Sequence, residues 1–97
     1  MITAQQIRAA RAMVDLSIDI LASESGLSAA SISAIERGEN AGDMQALTRL
    51  RQTLEMRGIV FLRPGEDDPG VGPGLRLRLR AGDEGMRPES LSSANDG

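Results

Sequence analysis

The stretch "SIDILASESGLSAASISAIERG", residues 17 to 38, decides how this chain folds. Ser17 and Ser28 each stand just ahead of a run with helical apolar spacing. A hydroxyl there can accept a hydrogen bond from one of the backbone N–H groups that a first helical turn leaves unpaired. Gly26 falls between the two runs and permits the left-handed backbone that ends a helix in a tight turn. Small Ala22, following Leu21, allows two helices to approach closely, and Leu27, Ile32 and Ile35 supply the apolar side chains that hold the second helix on the first. The prediction is two short helices joined by a sharp turn, the second closing at Gly38.

The same signals extend the pattern on both sides. Thr3 is placed to cap a helix with Ile7, Ala10 and Val14 on one buried face, ending near Asp15. Beyond the connector "ENAGD", Asp43 caps a fourth helix with Met44, Leu47, Leu50 and Leu54 along one side until Gly58. After Gly58 the period becomes alternating. "IVFLR" offers Ile59 and Phe61 on one face, "GEDDPGVGPG" is rich in turn residues, and "LRLRLR" sets Leu75, Leu77 and Leu79 opposite Arg76, Arg78 and Arg80. That pattern predicts one two-stranded hairpin. An isolated hairpin is marginal in water, so Ile59, Phe61, Leu75, Leu77 and Leu79 must either cover the helices or meet the same hairpin in a second subunit. The closing stretch "AGDEGMRPESLSSANDG" is polar and without period, the composition of a disordered tail. The expected organisation is a mainly α protein: a helical domain over 1–58, a hairpin over 59–80 and a tail over 81–97.

Composition narrows the function. Neither Cys nor His occurs, which removes disulfides, thiolate chemistry, zinc fingers and imidazole acid/base catalysis. With 97 residues the core is small, and a second subunit is an available reinforcement. No apolar run approaches the roughly 20 residues of a membrane span, and "MITAQQIRAARAM" lacks a signal peptide's apolar stretch, so the expectation is a cytoplasmic protein without membrane contact. The acids are scattered, no glycine-rich phosphate loop links a strand to a helix, and no nucleophile has an adjacent base. These features point away from an enzyme and imply no cofactor. "GEDD" at 65–68 lacks the ligand spacing of a calcium loop, so no metal is expected. The formal net charge is −3 and every basic residue is arginine, whereas DNA affinity usually draws on cationic surplus to displace counterions at phosphates.

With these residues in place, the chain resembles the lambda-repressor-like, Xre-type helix-turn-helix family over about residues 3 to 57. "ISAIERGEN" is similar to the family's usual close of the recognition helix, and "IRAARAMVDLS" to its usual first helix. The resemblance implies a four-helix domain with DNA contacts along the second and third helices. It also implies a glutamine that holds phosphate where this chain has Ile18, and arginine, lysine, glutamine or asparagine where it has Ala29 and Ala34. Alanine and isoleucine can make none of those polar contacts.

Two functional readings are open. In the first, Leu16, Ile18, Ala29, Ser33 and Ala34 form an apolar patch on the former DNA face that docks a protein. The chain then resembles the short antiactivators of bacterial mobile elements, which bind and silence a transcriptional activator. In the second, Ser28, Ser31, Ser33 and Arg37 still face the major groove, and a homodimer joined through the hairpin or fourth helix acts as a DNA-binding repressor. The alanines also have a plain explanation in helix propensity. The arginine stripe suits phosphate or an acidic partner, and equally serves to keep an edge strand soluble.

Overall fold

A computed structural model describes residues 2–39 and 43–79 of the chain. The expectations for the tail, for Arg80 and for most of the "ENAGD" connector fall outside the described residues. Four helices precede two strands: α1 (Ala4–Met13), α2 (Ile18–Ser25), α3 (Ala29–Glu36), α4 (Met44–Met56), β1 (Ile59–Leu62) and β2 (Gly74–Leu77).

Each helix starts where its cap places it. The Thr3 hydroxyl accepts from the Gln6 N–H at 3.1 Å while the Gln6 side chain accepts from the Thr3 N–H at 2.9 Å, a reciprocal pair that satisfies two donors. Ser17, Ser28 and Asp43 accept from the N–H groups of Ile20, Ser31 and Ala46 in the same manner. The turn between α2 and α3 is made by Gly26 at φ 80°, where a Cβ would stand 3.3 Å from the Arg49 guanidinium. An alanine there would meet both backbone strain and a crowded neighbour. α1 stops at Met13, and Asp15 takes the left-handed conformation at φ 53° to turn the chain toward α2.

Ile7, Leu21, Ile32, Leu50, Leu54 and Ile59 are fully buried and come from all four helices and β1. The hairpin and the helices therefore share one core. Two sequence expectations change here. Leu16 is only 4% exposed, because the turn at Asp15 drives its side chain inward between α1 and α2, so it cannot belong to an outward patch. Met44 is exposed, since it lies six residues before Leu50, about 120° around a helix of 3.6 residues per turn. Ala46 occupies the inward position instead.

The strands pair antiparallel, with Ile59 opposite Leu77 and Phe61 opposite Leu75. Phe61 and Leu75 are half-buried against the helical core, so the hairpin covers the helices of its own chain. Ile59 is consumed entirely inside that core and is not available to a second subunit. Leu77 and Leu79 remain exposed, Leu79 just past the end of β2.

One buried side chain fastens the hairpin. The Gln6 amide donates to the Leu62 carbonyl at 3.2 Å and the Gly74 carbonyl at 2.9 Å, joining α1 to both strands where they meet the loop. Gln6→Leu keeps the volume but leaves both carbonyls and the Thr3 N–H without that partner. The expected loss is about 1–3 kcal/mol, read as a lower denaturant midpoint with an unchanged m-value.

Candidate interaction face on α2 and α3

The face singled out by the sequence is built from the start of α2 and the length of α3. Ile18 is half-buried and packs partly on the core. Ala29, Ser33 and Ala34 are half-buried on α3, while Ser28 and Ala30 are exposed. The surface is thus small apolar and hydroxyl groups on a rigid helix capped at its start. Leu16 is separated from it by burial.

The polar groups of this face are occupied by one another. The Ser28 hydroxyl accepts from the Ser31 N–H and donates to the Ser31 hydroxyl at 3.0 Å. Arg37 directs its guanidinium to the Glu39 carboxylate, with contacts of 3.0 and 3.2 Å. These hydrogen bonds raise the Arg37 pKa above its ordinary value and lower that of Glu39. Neither α2 nor α3 contains a Lys or Arg, and Asp19 adds negative charge to the first turn of α2.

Beneath the face lies a second arrangement that sets the position of α3. Glu36 is buried, and its carboxylate receives a two-pronged contact from Arg11, Nε to Oε2 at 2.8 Å and Nη2 to Oε1 at 2.9 Å. Arg11 also donates to the Leu16 carbonyl at 3.2 Å, and Arg8 donates to the backbone carbonyl of Glu36. The Glu36 hydrogen bonds hold the Arg11 guanidinium above its ordinary pKa. α1 therefore fixes the end of α3 through charge-assisted hydrogen bonds as well as packing. In sequence, "IERGE" marks a helix close and shows Glu36 only as an acid adjacent to core residue Ile35. Its partner lies 25 residues away, and no local signal connects them.

α2 has its own brace, from Arg57 at the end of α4 to the Glu24 carboxylate. That hydrogen bond lowers the Glu24 pKa. A depressed carboxylate stabilises the fold above its ordinary range, and the contribution disappears as pH falls through the folded-state value. In an NMR titration the Glu24 carboxyl is expected to titrate below the usual glutamate range, and Arg57→Ala should move its midpoint upward.

Two further arginines are also paired. Arg51 faces Glu55 at 3.6 Å, and Arg76 reaches Asp67 across the hairpin loop. In the "GEDD" segment Glu66 accepts from the Arg63 N–H and Asp68 from the Gly70 N–H, so these acids stabilise their own turns. Sequence reasoning passed over two exposed residues near the motif, Ile20 and Ala30. Ile20 is 48% exposed, and its signal was an apolar residue just off the inward stripe defined by Leu21 and Ser25. Comparison with protein-family models and with curated proteins finds no match for this chain. Among the described residues, no helix is long and apolar enough to cross a membrane.

Proposed function

We propose that the protein is a small bacterial transcriptional regulator that binds and inhibits a protein partner, such as a transcriptional activator, through the outer face of α2 and α3. The observation that carries this reading is that α2 and α3 contain no Lys or Arg: the nearest cation in sequence, Arg37, caps the end of α3 and pairs with Glu39 in an exposed contact. Phosphate binding draws its affinity from such cations. A face of alanine, serine and isoleucine on a rigid helix suits a dry protein contact instead, since burying it removes little polar surface from water. The likeness to Xre-type domains supplies the context of transcription, and the mechanism is occlusion of the activator's working surface.

The first test is retention of pooled genomic DNA fragments by the purified, folded protein at low and moderate salt. The expected result is no selective retention. Selective and steeply salt-dependent retention would establish the repressor reading, with Ser28, Ser31, Ser33 and Arg37 as the contacts. The second test is capture of a partner by the wild-type protein and its loss in a folded Ala30→Glu variant.

A further inference from the structure

A strand edge lies on other elements than α2 and α3. Gly58 and Arg78 form a hydrogen-bonded pair, since the Arg78 N–H donates to the Gly58 carbonyl. In an antiparallel ladder such pairs alternate with non-bonded ones, so Ile59 with Leu77 and Phe61 with Leu75 are non-bonded pairs. The N–H and C=O groups of Leu75 and Leu77 therefore point away from β1. β2 is the outer strand of a two-stranded sheet, and among the described residues no other backbone group bonds to this edge. Beside the edge runs an open groove of about 660 Å³ between α1 and β2, lined by Gln5, Ala9, Met13, Pro73 and Leu75. Met13 is 44% exposed at the end of this groove, and Leu77, 49% exposed, lines with it a neighbouring recess.

We propose that the outer edge of β2 accepts an extended protein segment in which apolar and carboxylate side chains alternate. Such a segment pairs its backbone with Leu75 and Leu77. Its apolar side chains enter the groove beside Ala9 and Met13, and its carboxylates meet the arginines on the opposite face of the sheet. Charge selects this occupant. Arg76 and Arg78 are exposed on the outer face; Arg76 meets Asp67 in an exposed pair that an incoming carboxylate can share, and Arg78 has no carboxylate partner among the described residues. A second copy is disfavoured: symmetric antiparallel pairing of β2 about Arg76 or Leu77 sets arginine opposite arginine, and like charges directly opposite destabilise a ladder, while pairing about Leu75 sets Pro73, which has no N–H to donate, opposite Leu77. The chain's own segment 81–97 lacks the pattern: Asp83 and Glu84 are adjacent, and Pro88 breaks the run after them. None of the groove-lining residues comes from α2 or α3, so the inference stands apart from the identity of the molecule that those helices meet.

The experiment uses the full chain and two synthetic probes, a fluorescein-labelled peptide of three Val-Glu repeats and its Val-Lys counterpart. The Val-Glu peptide is expected to bind at least tenfold more tightly, by anisotropy at low salt. Its binding should shift the amide resonances of Met13, Leu75 and Leu77 and slow hydrogen exchange at Leu75 and Leu77. The double charge reversal Arg76→Glu with Arg78→Glu lies on the solvent face and should invert the preference toward Val-Lys. Equal binding of the two peptides, or shifts centred on α2 and α3, would overturn the proposal. Slow exchange at both amides in the chain alone would also overturn it. Concentration dependence of that protection would identify a second copy as the occupant, and its absence the chain's own terminus.

Discussion

Glu36→Ala lowers the unfolding free energy by about 2 to 4 kcal/mol, read as a shift in denaturant midpoint and in Tm. The reason is that the Arg11 guanidinium then keeps its place against the core without its carboxylate, and α3 loses its charged link to α1. The figure sits below that for a fully buried pair because the Arg11 side chain retains 25% of its exposure and can recover some hydration. For a domain this small, that is a large share of a total expected to lie toward the low end of about 5 to 15 kcal/mol. A Glu36→Gln variant keeps one acceptor and the side-chain volume and should fall between the two. Replacing both residues by methionine should recover much of the loss, since two apolar groups leave no unpaired charge. Equal destabilisation by the single and double substitutions would mean that packing alone, and not the ion pair, sets the position of α3.

The second large effect is functional. Ala29→Arg combined with Ala34→Arg gives α3 the cations it lacks, and the long aliphatic stems can lie along the helix surface while the charged ends reach water. Both positions are half-buried and on a helix, so a change of only a few degrees in Tm is expected. The double variant should acquire DNA retention whose logarithmic salt slope steepens by roughly 0.9 for each phosphate engaged. Partner binding should fall at least a hundredfold, because two charges then oppose a dry contact. A folded double variant that retains full partner affinity would place the binding surface elsewhere on the molecule.

The sequence made the helical part legible because its signals are local. Thr3, Ser17, Ser28 and Asp43 each cap the helix that they precede, and Gly26 takes the conformation that its place in the turn requires. The alternating period after Gly58 likewise marked both strands. Features that escaped were set by partners distant in sequence. Leu16 read as an exposed residue between two helices, yet the backbone at Asp15 turns it into the core. Gln6 read as an ordinary polar position in α1, and its two acceptors lie 56 and 68 residues away. At the candidate site the alanines and serines were plain from the sequence. The Ser28 to Ser31 pair could be anticipated from spacing, whereas the burial of Glu36 against α1 could not.

The clasp at Gln6 carries a consequence for the order in which the molecule is made. α1 packs on α3 and α4, and α2 on α3 and α4, all within the first 56 residues, so the packing of the helices can begin during synthesis as soon as α4 has left the ribosome. The Gln6 Nε2 donor, by contrast, has neither of its acceptors until Leu62 and then Gly74 have been added, and Ile59 seals the core only when β1 has docked. Bringing ends so far apart together carries the largest loop-closure entropy of any contact described. The amino-terminal helix thus waits, half satisfied, for β2, and a nascent chain stalled before residue 74 would present its groove side and a glutamine donor short of an acceptor to whatever is nearby.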